Sequence, residues 1–222
     1  MNIVITGVTK GLGQALAHAF IAEGHSVSGC GRSAAAIESL KGDYPEHNWR
    51  VLDITDADGL SKWAADVAQK HSIDLVIQNA AILLDPEPLH KVGEADFRQI
   101  LEVNVLGPHL VTRAFLPYLL KQGEGMIVFL SSGAGRMGLP GIGAYCTTKW
   151  AVEGYAKSLA AELPPKVAAI PLSPGMVNTD MLQQSYPDSA SNHQSPEIWA
   201  KAAVPYILSL RPHQSGESLT TP

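Results

Sequence analysis

The chain has 222 residues, with 16 Lys and Arg against 21 Asp and Glu, a formal charge of −5 and an isoelectric point near 5.9. That length suffices for one full hydrophobic core. The mild acidity, with no dense basic run, removes any electrostatic case for nucleic acid or an anionic membrane surface. Two cysteines, Cys30 and Cys146, lack CxxC spacing and make no disulfide framework, which reads as a reduced compartment. No stretch reaches the ~18 apolar residues of a membrane span. Met1-Asn2 carries no basic leader, and the chain is expected to start directly in its first strand and to be cytoplasmic.

In chain order, the first expected element is an apolar strand at 2–6. It stops at Thr6-Gly7, and Gly11, Leu12 and Gly13 follow before a helical pattern at 13–23. Strand, glycine turn and helix together are the context that a phosphate-binding turn requires. Gly7 permits the sharp turn, Gly11 lets a ligand reach the backbone, and Gly13 lets the helix lie close on the strand. Thr9 and Lys10 sit in the same turn. The helix N-terminus adds free N–H groups and a partial positive charge suited to a pyrophosphate. A tight turn with no ligand would also account for the glycines.

A second strand at 26–30 leads into Gly31-Arg32-Ser33. A site for NAD would place Asp or Glu here to accept from the ribose 2′-hydroxyl. None is present. Arg32 would instead pair with a 2′-phosphate through two hydrogen bonds, with Lys10 adding charge from the glycine turn. Together they favour NADP(H) over NAD(H), against the plain reading of Arg32 as a solvated loop residue.

Further strands are expected at 48–53, 75–78, 126–131, 167–172 and, weakly, 218–220. Helices are expected at 34–41, 60–70, 94–107 running on to 120, 143–163 and 196–209. Pro108 and Pro117 should bend the long helix. Pro171 removes a ladder donor, so its strand should be short or irregular. The polar segment 183–195 reads as a flexible surface loop. Most strands lack polar alternation, as strands buried on both faces do. Their alternation with helices predicts an α/β fold: a doubly wound parallel sheet of about seven strands with helices on both faces, in one domain spanning 1–222.

Tyr145 and Lys149 lie four apart at the start of a helix, so they share a face about 5–6 Å apart at Cβ. An ammonium near a phenol favours the phenolate and lowers the tyrosine pKa. Such a tyrosine can give or take a proton near neutral pH, and Ser132 could donate to the same oxygen. The spacing arises by chance in many helices. It gains weight from a strand ending at Ser131-Ser132 just before it and a glycine turn upstream.

With these stretches in hand, the sequence resembles the short-chain dehydrogenase/reductase family, whose fold is of the Rossmann type. The matches are ordered along nearly the whole chain. Thr6-Gly7…Gly11-Leu12-Gly13 resembles TGxxxGxG, and Asp53-Ile54 the acid–aliphatic pair that binds the adenine amino group. Gln78-Asn79-Ala80-Ala81 resembles NNAG, with Gln78 and Ala81 standing where the family has Asn and Gly. Asn104 matches the helix asparagine. Ser132, Tyr145 and Lys149 match the serine and YxxxK, and Pro174-Gly175-Met176-Val177-Asn178-Thr179 the segment at the nicotinamide end.

The resemblance implies hydride transfer between a nicotinamide and a carbonyl or secondary alcohol. Tyr145 would be general acid or base. Lys149 would lower its pKa and hold the ribose hydroxyls, and Ser132 would orient the substrate oxygen. Asn104 would position a water linking Lys149 to solvent. Val177 and Thr179 would fix the carboxamide and phosphate. A homodimer or homotetramer, paired through the long helix and the tyrosine helix, is also implied.

Eight histidines show no metal spacing, so no metal is expected. Cys146 reads as a small helix residue, and the four tryptophans as packing residues. Substrate choice should lie in 82–90, 134–143 and 181–195, where Met137, Leu139, Ile142 and Met181, with nearby Met176, suggest a partly apolar pocket. A non-catalytic NADP-sensing protein on the same fold is the alternative. A nucleotide-sugar epimerase or dehydratase would need a larger region after Thr179.

Overall fold

A strand whose successive residues are all apolar needs a hydrophobic layer on each side, and the computed structural model, which describes residues 1–222, supplies both. Its strands are β1 (Asn2–Thr6), β2 (Ser26–Gly31), β3 (Asn48–Val51), β4 (Leu75–Gln78), β5 (Gly125–Leu130), β6 (Val167–Ser173) and β7 (Leu219–Thr220). They form one sheet in the order β3-β2-β1-β4-β5-β6-β7, every pairing parallel. The helices are α1 (Gly11–Ala22), α2 (Ala34–Asp43), α3 (Ala57–Lys70), α4 (Glu94–Leu101), α5 (Gly107–Gln122), α6 (Gly143–Glu162), α7 (Asp180–Ser185), α8 (Pro187–Ala190) and α9 (Pro196–Ser209).

Side chains alternate faces along β1. Ile3 and Ile5 pack with Leu16 and Phe20 of α1, Ile37 and Leu40 of α2, and Trp199 and Val204 of α9. Val4 points the other way, into a layer with Trp63 of α3, Phe115 of α5 and Val152 of α6. The sheet is therefore buried on both faces, as the unbroken apolar runs require. After β3 the chain crosses to the far side of β1 to lay down β4. The crevice at the carboxyl ends of β1 and β4 is the topological switch point where such sheets bind ligands.

Several elements differ from the sequence reading, each for a physical reason. β6 runs unbroken through Pro171, which pairs in register with Phe129. Residues 172 and 173 turn their carbonyls to opposite neighbours, Ser131 N just past β5 and Thr221 N beyond β7. Pro171 therefore turns its nitrogen toward the β7 side, and β7 begins only at the level of Leu172. No ladder bond is lost.

The long helix does not bend at its prolines alone: Glu102–Leu106 forms a π-helical segment between α4 and α5. Segment 183–195 contains the end of α7 and all of α8, with α7 started by a Thr179 side chain that accepts from Leu182 N at 3.2 Å. α3 begins three residues before the expected start, where Asp56 caps it by accepting from Gly59 N at 2.9 Å. Trp49, Trp63 and Trp199 are buried, but Trp150 on α6 is 54% exposed, against the packing expectation. No helix is long and apolar enough to cross a membrane.

Candidate active site

The turn after β1 and the segment after β4 are clasped together. Thr6 Oγ1 accepts from the backbone N–H of Asn79 and of Ala80, both at 3.1 Å. Asn79 Nδ2 donates back to the carbonyls of Thr6 at 2.9 Å and Gly7 at 3.1 Å. The Asn79 side chain thus serves the glycine turn. Gly7 sits at φ +76°, a left-handed conformation. A Cβ on Gly13 would lie 2.2 Å from the Gly7 carbonyl oxygen and 2.3 Å from Asn79 Nδ2, so only glycine lets α1 approach this closely. Gly13 acts by that approach and does not itself line the cleft.

A cleft of about 590 Å³ opens above the turn. Gly7, Thr9, Lys10, Gly11 and Leu12 form one wall, and Arg32 and Ser33 lie at the end of β2. Asp53 and Ile54 follow β3, and Ala80 and Ala81 follow β4. α1 has no side-chain cap and no acid in its first turn, so its first N–H groups are left for an anion. The expected bases both face the cleft beside acids. Arg32 Nη1 is 3.9 Å from Asp53 Oδ2, and Lys10 Nζ is 3.2 Å from Asp180 Oδ2, both pairs solvent-exposed. Asp53 Oδ1 accepts from the N–H of Thr55 at 3.0 Å and its hydroxyl at 2.9 Å. The Ser33 hydroxyl caps α2 by accepting from Ala36 N at 3.3 Å. A glycine cradle, an uncapped helix start and two bases fit a phosphorylated dinucleotide.

Tyr145 and Lys149 line the other end of the cleft. Lys149 Nζ donates to the Leu130 carbonyl at 2.7 Å and lies 5.5 Å from the centre of the Tyr145 ring. Burial lowers the Lys149 pKa to about 8, with the Glu153 carboxylate acting the other way. The expected acidification of Tyr145 does not dominate. Burial pushes its phenol above the usual tyrosine range, and the Ser132 hydroxyl beside it pulls only part of the way back. Desolvation of the phenolate outweighs every favourable neighbour. Ser132 itself starts the 3₁₀ turn Gly133–Gly135, its hydroxyl accepting from Ala134 N at 3.1 Å.

Asn104 lies in the π-helical segment, buried and outside the cleft lining. Its Oδ1 accepts from Ile82 N at 2.8 Å, and its Nδ2 donates to the Ile82 carbonyl at 2.8 Å and to Thr148 Oγ1 at 3.2 Å. Both N–H donors of the amide are committed, so the side chain holds the loop after β4 against α6. Pro174 and Thr179 line the cleft, whereas Gly175 and Val177 do not, and the Val177 side chain packs in the core. Leu130 escaped the sequence reading because a backbone carbonyl leaves no residue-type signal. Ile82, Leu83, Met181 and Gln184 also line the cleft, inside the segments expected to carry substrate choice. Ala134, Ile142 and Cys146 form a small apolar cluster packed by Leu83, Leu139, Tyr145 and Tyr186. Cys30, at the cleft floor, is held as a thiol by burial, its pKa raised to about 12.

A parallel sheet with a glycine cradle at its switch point and a phenol–amine pair at the far end of the same cleft defines a class, the dinucleotide-dependent oxidoreductases. The match of residues 1–190 to the family model described as short chain dehydrogenase makes the assignment specific: this chain belongs to the short-chain dehydrogenase family. It is 35% identical to an NADPH-dependent pterin aldehyde reductase of Arabidopsis thaliana, over 99% of this chain and 92% of that one. A serine 3-dehydrogenase of Agrobacterium fabrum is 34% identical over 81% of this chain and 73% of its own length. Among solved structures, a protein of Shigella flexneri described as a short chain dehydrogenase complexed with NADP superposes with a TM-score of 0.87. It is 26% identical, over 99% of this chain and 95% of that one.

Proposed function

We propose that the chain is an NADP(H)-dependent oxidoreductase interconverting a small carbonyl compound and its alcohol, with cofactor and substrate held by a single domain spanning 1–222. The observation that carries this reading is the meeting of a half-buried tyrosine and a buried lysine amine in the cleft that begins at the glycine turn, with the Ser132 hydroxyl beside the phenol though outside the cleft lining. The bound nicotinamide supplies the hydride. Gly7, Thr9, Gly11 and Leu12 would bring backbone to the pyrophosphate, with Gly13 holding the turn's shape. Lys10 and Arg32 would take the 2′-phosphate, with Ser33 beside it. Asp53 and Ile54 would border the adenine. Asn79, Ala80 and Ala81 would wall the centre and Pro174 and Thr179 the nicotinamide end, with Gly175 and Val177 acting only through the backbone of that segment. Resemblance to NADP-bound and NADPH-dependent relatives supports the phosphorylated cofactor.

In reduction, Tyr145 would give its proton to the carbonyl oxygen. A phenol raised by burial keeps that proton at neutral pH, which is the form a general acid needs. Ser132 Oγ would donate to the same oxygen and hold it in line. Lys149, charged below about 8, would favour the phenolate left behind. Asn104 would act at one remove by fixing the loop after β4. Ile82, Leu83 and Met181 give the substrate end an apolar wall. Similarity to the pterin aldehyde reductase supports an aldehyde on a flat heterocycle as the first compound to assay.

Tyr145→Phe is expected to lower kcat by roughly 10²- to 10⁴-fold with NADPH binding intact, read by NADPH absorbance and by fluorescence titration. Unchanged turnover would defeat the reading. Tight NADPH binding with no oxidation across a broad carbonyl panel would favour the sensor alternative. Free, buried cysteines suit a reducing cytoplasm, and we take homodimers or homotetramers as the working assembly.

A further inference from the structure

Tyr145, Lys149 and Glu153 succeed one another at four-residue steps on α6. The first two face the cleft. Glu153 is 4% exposed, and a carboxylate so buried requires partners. Arg136 Nε donates to its Oε1 at 3.0 Å, and the Ser218 hydroxyl donates to its Oε2 at 2.5 Å. The rest of the Arg136 guanidinium reaches Thr220 Oγ1 at 2.8 Å and the Leu219 carbonyl at 2.6 Å. One side chain therefore joins the turn that follows Ser132, the helix that carries Lys149, and β7.

The turn is also pressed onto α6. A Cβ on Gly135 would lie 2.8 Å from the Lys149 carbonyl oxygen and 2.9 Å from Ser131 Oγ. The loop 132–136 thus has two anchors, β5 before it and the Arg136–Glu153 pair after it. We propose that Arg136 and Glu153 are positioning residues of this active site: the pair locks the Ser132 turn to the Lys149 level of α6 and makes β7 part of the catalytic frame. The proposal rests on the reductase reading.

Glu153 has a second effect through its charge. The groups facing the Lys149 ammonium are the Tyr145 ring and the Glu153 carboxylate on its own helix, and the Leu130 carbonyl at the end of β5. Arg136 adds a cation on the turn, and the Asn104 amide reaches Thr148 from the π-helical segment. Among them the Glu153 carboxylate favours the charged amine. Removing its charge takes away that support and leaves Arg136 unpaired nearby, and both changes disfavour the ammonium.

The test labels lysine Cε with ¹³C in the full chain, assigns Lys149 by its loss in Lys149→Met, and follows its titration by NMR without substrate. Glu153→Gln, which keeps the side-chain shape, is expected to lower the Lys149 midpoint by roughly one pH unit and to move the alkaline fall of kcat with it. Glu153→Asp, which keeps the charge, should restore most of both. Arg136→Met is expected to cut kcat roughly tenfold or more with NADPH affinity unchanged, since Arg136 does not line the cleft. Arg136→Lys is read in the same way if the methionine variant does not fold. A Lys149 midpoint unmoved in Glu153→Gln, even with a lower Tm, would overturn the proposal and leave the pair a fold contact. Full kcat in the Arg136 variant would overturn the locking role. Absence of turnover in the unaltered protein would count against the reductase reading, and the substrate-free titration would then decide this one alone.

Discussion

Lys149 shows how burial and charge settle a side chain's chemistry. Its amine has a backbone carbonyl at 2.7 Å and a carboxylate one helical turn away, yet burial prevails and brings its pKa down to about 8. A lowered lysine pKa means the ammonium is complete well below that value and lost as the pH climbs through it. The rate of reduction is therefore expected to fall as pH rises past about 8, measured as kcat for NADPH oxidation across the alkaline range. A flat profile there would remove Lys149 from proton chemistry. Arg32 makes the second residue-scale prediction. It is exposed and shares Asp53 at 3.9 Å, so its hydrogen bonds to a 2′-phosphate belong at the weak end of charge-assisted bonds, about 1.5 kcal/mol. Arg32→Ala should weaken NADPH binding roughly tenfold and leave NADH binding unchanged, as read by calorimetry. Comparable affinity for the two cofactors in the unaltered protein would end the case for Arg32 and Lys10.

At the scale of elements, the turn after β1 and the helix with the π-helical segment behave differently as sequence. The glycine turn was legible because each glycine answers a local demand: a left-handed φ at Gly7, a contact too close for a Cβ at Gly13. The π-helical segment was not, because apolar periodicity does not distinguish it from an α-helix with proline bends. Its consequence is specific. It holds Asn104, whose amide ties both backbone groups of Ile82 to α6 through Thr148. Asn104→Ala would leave the half-buried N–H and C=O of Ile82 without these partners, at a cost toward the low end of about 1–3 kcal/mol in denaturant unfolding. The freed 82–90 loop should also raise KM for substrate more than for NADPH. Stability within error of the unaltered protein would show that the loop is held by other contacts. α7 was missed for a related reason. Its sequence is polar and short, and a Thr179 cap supplies what periodicity does not.

On the scale of the whole molecule, the helices beside the active site leave a few large apolar side chains exposed. Trp150 on α6 is 54% exposed, and Leu106 and Leu120, flanking and on α5, are each 45% exposed. A second copy would cover them in the pairing that the family resemblance implies. Light scattering is expected to give the mass of a dimer or tetramer, and Trp150→Glu to shift it toward the monomer by placing a charge in an apolar contact. A clean monomer at all concentrations would refute this assembly. The sequence by itself determined the sheet class, the chain order of its strands and of the longer helices, the glycine turn and the four-residue phenol–amine pair. Those features rest on short-range rules: apolar periodicity, glycine stereochemistry, and the four-residue spacing of a helix face. Only the tertiary structure decided that burial raises the Tyr145 phenol above its ordinary range, and that Asn104 spends its amide on Ile82 and Thr148. It alone showed that Arg136 binds Glu153 and a strand more than eighty residues away. Each of those outcomes depends on which distant groups share one low-dielectric volume, and that is a property of packing which no local pattern contains.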